Sequence, residues 1–418
     1  MHRNVLDLAT RDWFAQAIQR TGFCTAEHSR ECDMVLAPDE SPLSRARSLL
    51  DDSANNTLDP SISALVRLAG IVLTRPGPVA WAIPGINPPI DRTAALDTVW
   101  VVIGPDSCTV ITTEVEADRV REELLPAGVD LISVPWWDAD AMVAAATELL
   151  GVDAQHIGSD GHPAFAHNID HELTQIRLAL NADERSRLRH LGRSAALAVE
   201  DALRKWQPGE TDTAIAGRIA NAVESFGGDA PVLLVGADDR LTRYRHPTAV
   251  GAPTRNCVMA VLVARHHGLH VALTRYTALG DTSELEAQLD VPRAIHREVL
   301  RAGVPGATYG TVLETLAESY AANGQAGAWS EHYQGGPIGY AQREFEISPA
   351  QTSSPWWAQE IVENTAVAWN PSLGGGLKDE DTYVITADGV DFLTDSSLWP
   401  MDADAVLPRP LVLKRDGV

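Results

Sequence analysis

Two periodicities alternate along the first part of the chain. Short apolar runs bounded by Gly, Pro or Asp, at Val79–Ile83, Val99–Ile103, Thr109–Thr113 and Val129–Val134, read as strands. Asp12–Arg20, Pro60–Leu73, Glu114–Leu125 and Ala139–Leu150 read as helices. Such alternation predicts an α/β class with helices packed on a sheet. The stretch "GSDGHPAFAHN" (158–168) mixes Gly, Pro and polar residues without a period and reads as a linker. The chain is therefore divided into an α/β domain at 1–168 and a second domain at 169–418.

The second domain opens on a long amphipathic helix. Asn181 followed by Glu184 has the form of a capping box, and Leu188, Leu191, Leu197 and Leu203 share a stripe. "QPGET" ends it, and Thr211 is placed to cap the next helix, which stops at Gly227–Gly228. An echo follows 97 residues on: "PGETDTAIAGRIANAVESFGG" is matched by "PGATYGTVLETLAESYAANG", with Thr211 answering Thr308 and Ile219 answering Leu316. Two such units at one interval predict duplicated halves related by a pseudo-twofold. Apolar runs on either side of His267–Gly268 predict a hairpin at 257–276, and 364–394 yields three short strands around "SLGGG" and "ADG".

Length and composition narrow this picture. The 418 residues exceed one ordinary core, and 45% hydrophobic with 22% charged residues is a globular balance. A formal net charge of −24 argues against a nucleic-acid partner. No apolar run is long enough for a membrane span, and the N-terminus lacks the apolar core of a secretory signal. Cys24, Cys32, Cys108 and Cys257 are scattered, which fits a reducing cytoplasm and neither disulfides nor zinc. Trp136–Trp137 and Trp356–Trp357 are expected in core or interface.

Candidate chemistry gathers in a glycine-rich segment and in the residues before and within the hairpin. "EHYQGGPIGYAQREFE" (331–346) sets Gly335 and Gly336 between His332, Gln334 and the pair Arg343–Glu344. The glycines leave room for a ligand or for another strand, and His332 and Gln334 can hydrogen-bond a carbonyl or carboxylate. Arg343 can pair with Glu344 or clamp a carboxylate with its planar fork, and Arg243, Arg245 and Arg275 extend a cationic pocket suited to an anionic substrate. His266, His267 and His270 flank a hairpin turn where alternate side chains diverge, and are expected in solvent.

The order "PGETD", "YRHPT", a hairpin ending "ALTR", "PGATYG", a glycine-rich histidine segment and "EDTYVITADG" resembles the superfamily of creatinase, prolidase, aminopeptidase P and methionine aminopeptidase. That resemblance implies a creatinase-like N-terminal domain and a duplicated pita-bread C-terminal domain. It also implies a homodimer and, in the peptidase members, two divalent metals held by two Asp, one His and two Glu. Laid onto this chain, those positions fall at Val261, Ala272, Gly336, Asn370 and Glu380, so Glu380 alone is kept. One carboxylate does not offset two divalent cations, so neither metal nor other cofactor is expected. Creatinase, which keeps the fold and uses a histidine base without metal, implies His246 of "YRHPT" as general base, with Glu344 and Glu380 as acid or orienting groups. Arg245, Arg275, His332, Gln334, Gly335, Gly336, Arg343 and Asn370 would then hold a small, carboxylate-bearing substrate. The expected function is metal-independent hydrolysis of a C–N bond in a small amide or amino-acid derivative. The alternatives are an Xaa-Pro-type peptidase with a rearranged metal site and an inactive binding module.

Overall fold

The pattern Gly70–Leu73, "GIVL", is apolar at every position, which suits a strand covered on both faces. In the computed structural model, which describes residues 41–54, 68–84, 86, 90–402 and 407–416, it is the strand β1 of a mixed sheet. Its partners are β2 (Val99–Ile103), β3 (Cys108–Thr113), β4 (Asp130–Val134), β5 (Ile157–Ser159) and β6 (His167–Asn168), in the order β4-β3-β2-β1-β5-β6. Helices α1 (Pro42–Ala54), α2 (Pro76–Ala82) and α3 (Ala141–Leu150) pack against it. Val72, Val102, Ile111 and Ile157 meet Ala146 of α3 in one cluster.

Several expectations change here. Val79–Ile83 is not a strand: Pro76–Ala82 is a helix with Pro at its start, where a missing N–H costs nothing, and Pro78 to Ala82 are all buried. A helix buried all round shows no stripe, so its sequence reads as an apolar run. Of Pro60–Leu73, residues 60–67 lie outside the described residues, as does Asp12–Arg20, and the rest enters β1. The segment 158–168 is no free linker, since its two ends pair in parallel as β5 and β6. Trp136 and Trp137 are 66% and 67% exposed, not core.

After α4 (Asp170–Leu178), the duplication is plain. Helix α5 (Ala182–Lys205) carries the capping box between Asn181 and Glu184, and Glu184 also accepts two bonds from Arg45. Then come α6 (Asp212–Ser225), β7 (Asp229–Ala237), β8 (Cys257–His266) and β9 (Leu269–Leu279). The second half runs α7 (Ser283–Ala302), α8 (Tyr309–Ala322), β10 (Gly335–Pro337), β11 (Ala366–Trp369), β12 (Asp381–Thr386) and β13 (Gly389–Phe392). Helices α6 and α8 begin and end 97 residues apart, each capped by a threonine, Thr211 or Thr308. The sheets are β14-β9-β8-β7, with β14 at Leu413–Arg415, and β10-β11-β12-β13. Val299, Val312 and Leu316 of α7 and α8 pack on Val367, Trp369 and Tyr383. This is the mixed α/β pita-bread architecture. No described helix is long and apolar enough to cross a membrane.

The two halves meet where β9 abuts β12. Thr274 N–H donates to the Glu380 carbonyl at 2.9 Å, and the Ala272 N–H donates to Thr382 Oγ1 at 2.8 Å.

Candidate functional site

Strand register decides which side chains share this seam. Trp369 pairs with Asp381, and the same antiparallel register continues to the bridge Ser372–Lys378. Side chains alternate along each strand, so Asn370, Ser372, Lys378 and Glu380 occupy one face, with Trp369, Asp379 and Asp381 on the other. The bonding follows this division. Glu380 Oε2 accepts from Thr274 Oγ1 at 2.8 Å, and its Oε1 accepts from Asn370 Nδ2 at 3.3 Å. On the opposite face Asp381 accepts from Arg275 and Thr394, while Asp379 meets His296 and Arg409.

Around the first face stand several cations. His332 is packed with Nε2 against Ser372 Oγ, and the same hydroxyl accepts from Arg245, whose other arm reaches Glu331. Burial pushes the His332 imidazole down to about 3, with Lys378 and Arg245 adding to the fall, so it is neutral at pH 7. His246, exposed in its loop, also lies below the ordinary histidine value. Burial is the largest cause; Lys378, Arg245 and Arg343 follow, and Glu380 opposes them. Arg343 is exposed, stacks over the Tyr333 ring at 4.7 Å and pairs with Glu346. His246, Arg245, His332, Arg343, Asn370 and Glu380 are thus brought together.

Other residues expected at the site are bonded into the surrounding fold. Arg275 follows Thr274 and so points to the far face, fully buried against Glu200, Asp381 and the Thr394 carbonyl. Glu344 does not pair with Arg343: its Oε2 accepts from Arg177 at 2.8 Å and its Oε1 from Tyr340 N–H at 2.7 Å and Ala341 N–H at 3.2 Å. Gln334 is spent on Tyr320, the Trp329 carbonyl and the His332 carbonyl. Gly335, at φ +86°, forms β10 so close to β11 that a Cβ would sit 2.2 Å from the Ala368 carbonyl oxygen. Gly336, at φ +150°, faces the Tyr333 hydroxyl. The glycine segment is therefore a strand-and-bend device folded around Glu344. His270, expected in solvent, is buried with Nδ1 3.0 Å from the Gly339 carbonyl oxygen.

The donor set does not fit a pair of divalent metals. Val261 is buried in an apolar cluster with Met259, Tyr276 and Leu377, and Ala272, paired with Val263, is buried too. Gly336 has no side chain, and Asn370 offers one neutral oxygen. Among the described residues no group of three or more His, Cys, Asp or Glu is arranged to hold a metal ion. Hard divalent cations need several oxygen ligands, and of the five positions that the resemblance implies Glu380 alone carries a carboxylate.

Sequence reasoning missed Lys378, 3% exposed on the same face as Glu380. Burial draws its ammonium below the ordinary lysine value; Glu380 opposes and Arg245 adds to the fall. A signal was present: the chain holds three lysines, Lys205, Lys378 and Lys414, in a total of 33 Lys and Arg, and Lys378 stands two residues before Glu380.

Comparison with known proteins bears on this arrangement. Residues 186–387 match the model of metallopeptidase family M24. No curated protein matches the chain in sequence. Among solved structures, the fold is similar to the prolidase from Pyrococcus horikoshii OT3, at 15% identity and TM-score 0.66 over 85% of this chain and 98% of that one. It is also similar to an Xaa-Pro dipeptidase from Bacillus anthracis, at 17% identity and TM-score 0.66 over 90% and 99%. The N-terminal domain of the FACT complex subunit SPT16 from Cicer arietinum is similar at 13% identity and TM-score 0.58, over 85% and 96%. At these identities the likeness is one of fold.

Proposed function

Starting from residues 186–387 as an M24 domain of the pita-bread superfamily, we propose that the chain hydrolyses a C–N bond in a small amide or amino-acid derivative, without metal and with His246 as general base. What supports this reading is the seam: Val261, Ala272, Gly336 and Asn370 stand at the positions where the resemblance implies metal-binding side chains, while Lys378, Arg245 and Arg343 act on His246 beside Glu380. Those cations favour the neutral form of His246, the form a base requires at pH 7. In this scheme the imidazole takes a proton from water as the water oxygen bonds to the carbonyl carbon. The C–N bond then breaks, and the imidazolium returns the proton to the departing nitrogen. Glu380, fixed by Thr274 and Asn370, orients the water or the leaving N–H. Arg245 and Arg343 favour a substrate that carries a carboxylate.

The test is turnover of a panel of small amides and dipeptides by the intact chain and by His246→Ala, each with and without excess chelator. The proposal expects activity that survives the chelator and is lost in the variant; activity indifferent to His246 would refute it. A second reading rests on the family's description as metallopeptidases: an Xaa-Pro-type peptidase whose metal site is assembled from other residues. Stoichiometric metal together with cleavage of glycylproline would favour that reading.

A further inference from the structure

Lysine is rare in this chain, and one of its three lysines is buried in the seam while arginine serves nearly every other cationic position. Among the described residues the Lys378 ammonium makes no hydrogen bond and no ion pair, although its backbone is fixed by Tyr276 and by the bridge to Ser372. On the same face, diagonally across the hairpin, Asn370 Oδ1 is a buried acceptor that also lacks a partner. Its Nδ2 is already committed to Glu380. Lys378 thus has Glu380 only as an electrostatic neighbour and no direct partner among the described residues, and a buried acceptor without a donor is costly to leave in a folded chain. The register sets the two diagonally on one face, and Asn370 stands where the resemblance places a metal-binding carboxylate.

We propose that Lys378 and Asn370 together form the substrate's polar clamp: the Lys378 ammonium binds a carboxylate oxygen, and Asn370 Oδ1 accepts the N–H of the neighbouring amide. The inference rests on the reading of this seam as the substrate site, and it defines the substrate class as an N-acyl amino acid with a free carboxylate and a secondary amide. A lysine suits the position because its ammonium is a compact point charge on a long stem, whereas the guanidinium fork needs room for two parallel bonds. Lys378 thereby supplies the positive charge that the missing metal ligands cannot recruit.

Calorimetric titration of the whole chain at pH 7 with three probes tests the clamp: N-acetylglycine, N-acetylglycine amide, which lacks the carboxylate, and N-acetylsarcosine, which lacks the N–H. The expected result is that N-acetylglycine binds about tenfold or more tightly than either of the others. Lys378→Met should cut the preference over the amide about tenfold and keep the preference over sarcosine, and Asn370→Leu should do the reverse. Failure of N-acetylglycine to bind, equal binding of the three probes, or a carboxylate preference undiminished in Lys378→Met would each overturn the proposal. The comparison among probes on the unmodified chain stands even if a variant does not fold. Binding and turnover are separate readouts, so a chain that discriminates among the probes but cleaves none of them would sink the hydrolase and spare the clamp.

Discussion

Replacing Glu344 by alanine removes three bonds at once: one from Arg177 Nη2 at 2.8 Å and two from the backbone N–H groups of Tyr340 and Ala341. The side chains of Arg177 and Glu344 are only 4% and 3% exposed, so water cannot replace the lost partner. Arg177 would keep a single bond, to Thr174 Oγ1, because its Nε and Nη1 already have no partner among the described residues. Stranding one member of a buried ion pair costs about 3–5 kcal/mol. Urea unfolding followed by the fluorescence of the eleven tryptophans should register this as a fall in midpoint of about 1 M. The double variant Arg177→Met/Glu344→Gln keeps an acceptor for the two backbone N–H groups and removes the orphaned charge, so it should recover most of the loss. A Glu344→Ala protein with an unchanged midpoint and abolished turnover would refute this reasoning and return Glu344 to the chemistry.

Three further outcomes follow from the same geometry. His246→Ala should lower kcat by about 10²–10⁴-fold, and the acid limb of kcat/KM in the unmodified chain should lie below the ordinary histidine value, since the base is active when unprotonated and its pKa is lowered. Lys378→Met removes one of the cations, with Arg245 and Arg343, that disfavour the imidazolium against the pull of Glu380; the limb should move to higher pH, and a shift downward would contradict the assignment. Gly335→Ala should fail to yield folded protein, because its φ of +86° and a 2.2 Å approach to the Ala368 carbonyl oxygen leave no room for a Cβ. A normal melting temperature would show that β10 is not held as described.

The duplicated half-fold was legible because its signals are local. Thr211 and Thr308 cap equivalent helices, Asn181 and Glu184 form their box, and the hairpin turns at His267–Gly268 as the apolar pattern requires. Pro76–Ala82 was not, because its all-round burial comes from neighbours that the sequence window does not contain. The geometry of the candidate site was half legible. His246, His332, Arg245, Arg343, Asn370 and Glu380 could be named from motif and chemistry. Whether Arg275 or Glu344 joined them depended on which face of a strand or bend each occupies, and adjacent residues diverge there. Thr274 reaches Glu380, while Arg275, the next residue, reaches Glu200 and Asp381. Lys378 escaped notice because a single lysine in "LKDEDTY" looks like surface, and only the register opposite Ser372 turns it inward.

The most direct test of the whole account is titration of the metal-stripped chain with Mn²⁺, Co²⁺ and Zn²⁺, followed by calorimetry and elemental analysis. A seam whose positive charge comes from Lys378, Arg245 and Arg343 should take up no stoichiometric ion, and Glu380→Ala should leave that result unchanged. Two tightly bound ions per chain, lost when Glu380 is replaced, would contradict it.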